Sequence, residues 1–354
     1  TESEAPESLF AEAYPYYSSF LPALLKHSRD HVLARLADRD LDASSLVIEL
    51  ASNDGYLLRN YVEHGIPVLG IDPADGPAAA AEKVGVPTLC EFFSEALAER
   101  LVEEGKQADI IHGNNVLAHV ADTNGFVSGI AKLLKPTGLA VIEAPYLKPL
   151  IQHVEFDTIY HEHLCYFSVT ALDHLFRRHG LFLNHVEHLS IHGGSLRLFV
   201  ERVENPKDSV KKALAEEAEI GMMAAPYFDD FAERVEALKT DLRAMIHELK
   251  AAGKSIAAYG AAAKGATLLN YCGLSVNELD FVADRNVHKQ GQLMPGARLP
   301  VRDPEALVTD QPDYVLMLAW NFADEILQQQ TDYRRAGGRF IVPVPTPRII
   351  EPED

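Results

Sequence analysis

VIELASNDG, at residues 47–55, is the stretch on which the fold prediction depends. Its first four residues are apolar apart from Glu49, as in a parallel strand buried on both faces, and small or turn-forming residues follow. Such a strand–turn lets backbone amides and the next helix N-terminus approach a ligand. The turn is not the GxGxxG fingerprint, because Ala51 and Asn53 stand where glycines are expected, although Asn tolerates a positive φ.

Two acidic residues near this turn indicate a cofactor-binding site. Asp72 ends the next apolar run, about twenty residues on, where an acid usually receives ribose hydroxyls. Glu49 lies inside the strand itself, which is the mark of an S-adenosylmethionine site with a carboxylate near the ligand's cationic end. The alternative is a plain strand–turn–helix with Asp54 as the helix cap. The predicted cofactor-binding residues of this region are Glu49, Ala51, Asn53, Gly55 and Asp72.

The same alternation of predicted strands and helices continues along the chain. Apolar runs such as VLGID, ADIIHG and LAVIEAP alternate with helical patterns up to about residue 203, and similar runs return from Lys254 as SIAAYG, LDFVAD, DYVLMLAW and RFIVPVP. The fold class is therefore α/β, with two Rossmann-like domains in tandem. Because of Glu49 we expect the first to be a class I S-adenosylmethionine-methyltransferase domain and the second to be a C-terminal Rossmann-like domain. We expect an N-terminal arm and helix at 1–44, the cofactor-binding methyltransferase domain at 45–203, a helical connector at 204–252 and the C-terminal α/β domain at 253–354.

The connector carries apolar residues at a spacing of three and four between Phe228 and Leu249, which lines one helix face. A coiled-coil dimer is one explanation. A helix packed between the domains is favoured, because only three heptads are present.

Composition limits the range of partners. The 354 residues give a prior of two domains, and 32 basic against 52 acidic residues leave a net charge of −20, which argues against nucleic-acid binding. No apolar run is long enough to cross a membrane, and no signal peptide is recognisable. The three cysteines lie too far apart for a disulfide framework, which favours the cytoplasm. We expect a small-molecule substrate, whereas the oligomeric state stays open.

A second motif, DIIHGNNVLAHV at residues 109–120, follows the fourth strand. Loops after strand carboxyl ends form the ligand crevice of an open sheet. Asn114 and Asn115 are therefore predicted to bind the adenine edge or the methionine end of the cofactor. His119 faces the reaction centre in this interpretation, and caps the following helix in the alternative one.

The third motif, YHEHLCYFS at residues 160–168, is too rich in histidine, tyrosine and carboxylate to be core. A histidine near its ordinary pKa can take up a proton while a carboxylate orients it. His161 and His163 share a face if the stretch is extended, so metal ligation is the rival interpretation. A third ligand is not obvious by spacing, and acid–base chemistry without a metal is favoured.

Two further motifs are candidates for substrate contacts. HGGSLR at residues 192–197 contains a glycine pair suited to a tight turn. A purely structural turn is slightly favoured there, and contact of Ser195 or Arg197 with a ligand is the alternative. YGAAAKG at residues 259–265 places small residues and a lysine where a pyrophosphate would be held, without the Walker A spacing. A second domain without a ligand is the alternative. The predicted substrate-binding residues are Arg197, Lys264, Asn270 and Asp284.

Together these motifs resemble those of the nucleotide-sugar C-methyltransferases of deoxysugar biosynthesis, which make branched antibiotic sugars. The resemblance extends from YPYYSS at residues 14–19 to VPVP at residues 342–345, and its specific part is the Glu162-His163 cluster. It implies a zinc-binding domain with four cysteines, then the methyltransferase domain, then an α/β domain that helps to hold the sugar nucleotide. The zinc domain is absent from this sequence, which begins at Thr1. We expect either a truncated chain or a member that works without that domain.

The resemblance also implies a mechanism. His163 would remove the acidic C3 proton of a 4-keto sugar, Glu162 would orient that histidine, and the enolate carbon would attack the methyl group of S-adenosylmethionine, leaving S-adenosylhomocysteine. No metal is needed for this step. The other side chains implied at the reaction centre are Tyr160 and His119, which would bind the enolate oxygen, and Tyr14 or Tyr16, which would close the pocket.

Three other functions compete with C-methylation. The first is an O- or N-methyltransferase of another small metabolite. The second is a non-catalytic nucleotide-binding protein, which the missing glycines at Ala51 and Asn53 would suit. A nicotinamide oxidoreductase is disfavoured by Glu49 and by the absent GxGxxG. The sequence therefore favours C-methylation and leaves the acceptor open.

Overall fold

A computed structural model describes residues 6–10, 16–189 and 193–352. Tyr14, predicted at the reaction centre, lies outside the described residues. The chain forms two compact units, of which unit 1 comprises the described residues of 6–146, 161–189 and 194–220, and unit 2 comprises 147–160, 193 and 221–352. Within the described residues, no helix is both long and apolar enough to cross a membrane.

Unit 1 is built from helices and strands of a parallel α/β pattern. Its helices are α1 (Pro6–Phe10), α2 (Pro22–Asp38), α3 (Arg59–Val62), α4 (Asp75–Lys83), α5 (Glu95–Glu103), α6 (Thr123–Leu133), α8 (Val169–Arg178) and α9 (Asp208–Glu219), with 3-10 turns at Ser18–Phe20 and Leu117–His119. Its strands are β1 (Val47–Leu50), β2 (Val68–Ile71), β3 (Thr88–Leu89), β4 (Ala108–Asn114), β5 (Leu134–Pro145), β6 (Phe182–Leu189) and β7 (Ser195–Glu201).

The sheet of unit 1 has the strand order β3-β2-β1-β4-β5-β7-β6, and β7 runs antiparallel to both of its neighbours. This order, with one antiparallel strand inserted near the edge, is that of class I methyltransferases and confirms the predicted fold class. Chain order reverses between β1 and β4, so the crevice at the carboxyl ends of these two strands is the expected ligand position.

Alternation along the strands sends different residues to the two faces of this sheet. Ile48 and Leu50 are fully buried in the main core with α5, α6 and α8. Glu49 points to the opposite face, where it pairs in register with His112 of β4. That second face carries the ring contact between His31 of α2 and His112, at 5.2 Å between centroids. The face that bears Glu49 is therefore polar although it is buried.

Unit 2 repeats the architecture with fewer elements. Its helices are α7 (Leu147–Gln152), α10 (Phe231–Ala251), α11 (Ala263–Cys272), α12 (Ala306–Asp310), α13 (Ala323–Gln329) and α14 (Thr331–Arg335), with 3-10 turns at Phe156–Thr158, Ala225–Phe228 and Trp320–Phe322. Its strands are β8 (Ile256–Tyr259), β9 (Val282–Ala283), β10 (Val301–Arg302), β11 (Tyr314–Met317), β12 (Arg339–Val342) and β13 (Arg348–Ile350).

The order β10-β9-β8-β11-β12-β13 is the 3-2-1-4-5-6 order of a Rossmann sheet, with β13 antiparallel. The second Rossmann-like domain is therefore confirmed. The apolar face of α10 packs into the core of unit 2 through Val235, Leu238, Leu242 and Ile246.

The two units divide the chain differently from the four predicted segments. Within the expected connector, α9 belongs to unit 1 and α10 to unit 2, and residues 147–160 of the expected methyltransferase domain are counted with unit 2. Contacts between residues far apart in the sequence decide which unit each segment joins. Local sequence patterns do not predict those contacts. Whether the four segments act as functional domains stays a prediction.

Gly260 offers a test of the turn after β8. Its φ is +100°, and an added Cβ would lie 2.8 Å from the Ala319 Cβ. We expect Gly260→Ala to lower the free energy of unfolding by about 2–4 kcal/mol, because a left-handed backbone and a steric overlap add. Gly253→Ala is the control, since its φ is +75° but nothing lies within 4 Å of the added Cβ. It should cost only about 1 kcal/mol in denaturant titrations. Equal losses would contradict the close approach.

Candidate active site

The turn after β1 takes a left-handed backbone at alternate positions. Ala51, Asn53 and Gly55 have φ values of +56°, +48° and +75°. An added Cβ at Gly55 would lie 3.1 Å from Val86, so the turn packs closely against the neighbouring strand–helix element. The expectation that the turn folds without the glycine fingerprint is met, at the strain that a positive φ imposes on an alanine.

Asp72 organises this turn from the end of β2. Its carboxylate accepts hydrogen bonds from the amides of Asn53, at 2.8 Å, and Ala74, at 2.9 Å. Burial raises the pKa of Asp72, although both amide bonds act in the opposite direction. The side chain therefore holds the two loops that flank the crevice.

The N-terminal arm lies across the same turn. The amide of Ser18 donates to Asn53 Oδ1 at 2.8 Å, and Asn53 Nδ2 donates to the carbonyl of Tyr16 at 3.1 Å. The amide of Ser19 donates to Asp54 at 3.1 Å. Asn53 and Asp54 therefore hold protein backbone with their side chains, while the Tyr16 residue itself stays 36% exposed.

Several buried side-chain oxygen atoms near the end of β1 lack hydrogen bonds of good geometry. Glu49 is fully buried, and neither carboxylate oxygen has such a bond among the described residues, although the Tyr56 hydroxyl lies close enough to lower the pKa of Glu49. One side-chain oxygen each of Ser52, Asp54 and Asn114 is likewise without a bond among these residues. Burial raises the pKa of Glu49 well above its usual value, and the charges of Asp54 and Asp72 raise it further. Unpartnered acceptors of this kind fit a ligand with positive charge and N–H donors, as S-adenosylmethionine has.

The loop after β4 closes the other side of the crevice. Asn114 ends the strand, and Asn115 follows with a φ of +54°. The amide of Asn115 donates to the carbonyl of Glu143 at 2.8 Å, which holds the loop against β5. Both asparagines therefore stand at the switch point between β1 and β4, where the sequence motif suggested them.

His119 and His163 lie side by side, although 44 positions separate them in the sequence. The amides of Leu164 and Cys165 both donate to the carbonyl of Ala118, at 2.8 and 3.2 Å. This contact brings the two imidazole centroids to 4.9 Å with an interplanar angle of 62°. Burial and the charge of His163 lower the pKa of His119 to about 4, so His119 is neutral at pH 7.

The other residues of the third motif differ in their burial and in their hydrogen-bond partners. Tyr166 donates to the carbonyl of His163 at 3.1 Å, and Glu162 lies 4.0 Å from the exposed His161 ring. Tyr160 is half-buried and is counted with unit 2. Across the part of the chain that the structure describes, no cluster of three or more His, Cys, Asp or Glu side chains is arranged to hold a metal ion.

Lys264 stands at the switch point of unit 2. Its ammonium lies 3.7 Å from the Trp320 ring centroid, 3.2 Å from Asn321 Oδ1 and 3.8 Å from Asp157. Trp320 Nε1 also donates to Asp157 at 2.7 Å. Burial lowers the pKa of Lys264 and raises that of Asp157, while the same burial raises the pKa of Glu155 to about 8.

Asp284 repeats in unit 2 what Asp72 does in unit 1. It accepts hydrogen bonds from the amide of Ala261, in the turn after β8, at 2.6 Å and from the amide of Asn286, two residues on, at 2.7 Å. Both Rossmann-like units therefore fasten the first turn with the acid that follows the second strand.

Asn270 is tied to the protein backbone. Its Nδ2 donates to the carbonyls of Ala266, at 2.7 Å, and Pro295, at 3.0 Å. These bonds fasten α11 to the loop before β10 and leave the Asn270 side-chain oxygen for other contacts.

The comparisons with known proteins agree with this geometry. A model of the methyltransferase domain matches residues 17–186, and a model of the C-methyltransferase C-terminal domain matches residues 190–345. C-methyltransferase NovU of Streptomyces niveus is 37% identical over 351 residues, which cover 98% of this chain and 83% of that protein. This chain belongs to the C-methyltransferase family. It is a methyltransferase, and its unit 1 has the fold of the S-adenosylmethionine-dependent class.

Two further similarities cover a smaller share of this chain. A ubiquinone biosynthesis O-methyltransferase of Bartonella bacilliformis is 32% identical over 97 residues, which are 27% of this chain and 39% of that protein. The crystal structure of magnesium protoporphyrin IX methyltransferase from Synechocystis PCC 6803 with bound SAH is 16% identical, with a TM-score of 0.41 over 51% of this chain and 83% of that chain.

Arg197 of the C-methyltransferase has a different setting from the predicted one. Its guanidinium bonds to Glu143, at 2.7 and 2.8 Å, and to Glu187, at 3.0 Å, and His27 of α2 lies 2.9 Å from the same Glu143. Of these partners Glu143 is buried, whereas Glu187 and His27 are partly exposed. Together they use most of the Arg197 donors, so its position favours a role in holding α2 and β5 over substrate binding.

Sequence reasoning missed Glu143 and His27 as site-supporting residues. Burial would raise the pKa of Glu143, but the hydrogen bond with His27 and the charge of Arg197 outweigh it and keep that pKa below its usual value. The available signal was the acid inside the apolar run LAVIEAP, which parallels Glu49 in VIEL. His27 offered no such signal, because its partner lies 116 residues away.

Arg197→Met should lower the free energy of unfolding most at neutral pH and progressively less as the pH falls. In the native protein the pKa of Glu143 is depressed, so its contribution is present above the unfolded-state pKa and is lost as the pH falls through the folded-state value. Without the guanidinium, burial raises that pKa, so the carboxylate destabilises the fold as the pH rises and the difference from wild type narrows on acidification. We expect a loss of about 3 kcal/mol at pH 7.

Arg39→Met is the control, because the Arg39–Glu201 ion pair is only partly buried. It should cost about 1 kcal/mol or less without changing the shape of the curve. Denaturant unfolding from pH 4 to pH 8 measures both variants, and parallel curves for wild type and Arg197→Met would contradict the assignment.

Proposed function

We propose that the enzyme transfers a methyl group to C3 of a 4-keto-deoxysugar nucleotide, and that His163 generates the nucleophilic enolate. The observation that carries the proposal is the pair of imidazoles of His119 and His163, 4.9 Å apart, beside the loop that follows β4. The free thiols Cys90, Cys165 and Cys272 support a cytoplasmic location.

The two histidines suit different parts of one proton transfer. His163 takes the C3 proton onto a ring nitrogen, the C–H bond breaks, and its electron pair moves into an enolate. The pKa of His119, lowered to about 4, keeps that ring neutral while His163 carries the proton. In the free protein the His119 ring donates a hydrogen bond to the backbone of Glu162, so its single N–H would exchange that partner for the enolate oxygen when the acceptor is bound. Glu162 would orient His163, and Tyr160 and Tyr16 would complete the pocket.

S-adenosylmethionine supplies, when bound, the electrophilic methyl group that the carbanion takes up. Glu49 would face the cationic end of this cofactor, with Asn114 and Asn115 beside it and the turn through Ala51, Asn53 and Gly55 below. Asp72 would receive the ribose hydroxyls. The unpartnered Asn114 oxygen and the Glu49 carboxylate, which has only the Tyr56 hydroxyl near it, support this assignment, since a buried acceptor without a well-placed donor is costly.

Unit 2 would hold the nucleotide part of the acceptor. Lys264, Asn270 and Asp284 are the proposed contacts, and Lys264 is supported by its position at the carboxyl ends of β8 and β11, where Rossmann sheets bind ligands. Contact of Arg197 with the acceptor is not favoured by its ion pairs with the buried Glu143 and the partly exposed Glu187.

O-methylation of another small metabolite is the second candidate. The similarity to the ubiquinone biosynthesis O-methyltransferase favours it, although that similarity covers only 27% of this chain. A methyltransferase acting on oxygen needs a base too, so His163 alone does not separate the two functions.

His163→Asn tests the base directly. We expect turnover with a 4-keto-deoxysugar nucleotide to fall by about 10³-fold or more, because the variant cannot accept the proton. The affinity for S-adenosylhomocysteine, measured by calorimetry, should stay within about twofold of wild type, since His163 is not among the proposed cofactor contacts. His161→Asn is the matched control, since that ring is exposed, and it should keep nearly full turnover. Full activity of the His163 variant would exclude it as the base.

Glu49→Gln tests the cofactor assignment through proton release. Because the pKa of Glu49 is raised in the free protein, a cationic ligand that restores its charge must release a proton, and the affinity for S-adenosylhomocysteine should rise with pH. In Glu49→Gln we expect affinity to fall at least about tenfold and to lose this pH dependence.

Calorimetry in two buffers of different ionisation enthalpy measures the released proton. Glu63→Gln is the control, because Glu63 is exposed in an ion pair with Arg29, and it should behave as wild type. Proton release that persists unchanged in Glu49→Gln would assign it to another group.

A further inference from the structure

Glu217 of α9 is a buried carboxylate that the proposed chemistry does not use. It is fully buried in unit 1, where its carboxylate accepts hydrogen bonds from four donors. One oxygen accepts from the Val169 amide, at 2.6 Å, and the Tyr146 hydroxyl, at 2.9 Å. The other accepts from the amide and the hydroxyl of Thr170, at 2.8 and 2.6 Å. Four donors on one carboxylate make a strong contact, because hydrogen bonds to a charged acceptor exceed neutral ones.

These partners stand at the two ends of one long excursion of the chain. Tyr146 is the residue that follows β5, and Val169 and Thr170 open α8. Tyr146 also forms an isolated bridge with Phe167. Glu217 therefore joins the residues that flank segment 147–168 on either side. Most of that segment's C-terminal half is the YHEHLCYFS motif at residues 160–168. Glu217 also fills the N-terminus of α8 with the protein's own carboxylate.

We infer that Glu217 is a positioning residue for His163, an inference that rests on the proposed role of His163 as the base. Only five residues separate His163 from Val169, and the amides of Leu164 and Cys165 are held by the Ala118 carbonyl. With α8 fixed by Glu217 and the loop fixed at Ala118, the His163 backbone has little freedom. Productive geometry for proton transfer needs such restraint, since a displacement of about 1 Å can cost 10²-fold in rate.

The charge matters as much as the shape. A glutamine at position 217 has the same size, but its NH₂ group would face donors, so part of the set loses its acceptor. We therefore expect Glu217→Gln to loosen the loop and to leave the rest of unit 1 folded. Tyr146→Phe removes one donor only and gives a milder variant should Glu217→Gln fail to fold.

Two measurements test the inference. The first is amide hydrogen exchange of the peptide that covers residues 160–168. Glu217→Gln should speed exchange at Leu164 and Cys165 by at least about tenfold, because their bonds to Ala118 open more often. Glu219→Gln is the matched control, as it lies on the same helix but is exposed, and exchange should be unchanged.

The second measurement is a double-mutant cycle on turnover. Glu217→Gln should lower kcat by about 10- to 100-fold in the wild-type background and by less than about twofold in the His163→Asn background, because it acts through that ring. The affinity for S-adenosylhomocysteine should stay unchanged. Tyr146→Phe should show the same pattern with a smaller loss.

The outcomes separate the inference from the proposed function. An equal loss of turnover in both backgrounds, or unchanged exchange at Leu164 and Cys165, overturns the positioning role of Glu217. If exchange speeds up as expected but His163→Asn is fully active, the base assignment fails, and Glu217 then holds a loop without that catalytic purpose.

Discussion

The carbonyl oxygen of Ala118 is the contact on which the proposed chemistry depends. It accepts the amides of Leu164 and Cys165, at 2.8 and 3.2 Å, and so joins the turn after β4 to a loop that arrives after the end of β5. This one carbonyl oxygen thereby brings the imidazole rings of His119 and His163 into contact. The neutral state of His119 follows from this arrangement, because the ring is buried and has a second imidazole as its neighbour.

Two carboxylates inside strands of the same sheet show how surroundings decide function. Glu143 has His27 and Arg197 beside it, and these keep the pKa of its carboxyl low and tie α2 to the sheet. Glu49 has only the nearby Tyr56 hydroxyl to stabilise its charge among the described residues, and burial raises its pKa. The first carboxylate is satisfied by the protein and acts in its architecture. The second is left for a ligand, which agrees with the cofactor class that the family uses.

Local patterns predicted the parts of the site that local sequence controls. Glu49 stood out as a charge in an apolar strand, Asp72 by its place at the end of the next strand, and the resemblance of the motifs pointed to the family that the comparisons confirmed. The missing information was long-range pairing. His27 meets Glu143 and Glu217 meets Val169 only after the chain has folded, so neither pair leaves a periodicity or a motif. The sequence likewise predicted the α/β fold class but not the order of the strands within each sheet.

Both Rossmann-like units also use one local device, an acid after the second strand that accepts the amide of the first turn. In unit 1 that acid borders the crevice that contains the buried side-chain acceptors, and the proton transfer is assigned to the imidazoles beside it.

The central claim is that this enzyme makes a carbon nucleophile. Incubation of a 4-keto-deoxysugar nucleotide with the wild-type enzyme and S-adenosylhomocysteine in D₂O, followed by NMR, tests it without methyl transfer. The account predicts that deuterium enters at C3; retention of hydrogen there by an enzyme that still methylates this acceptor would contradict it.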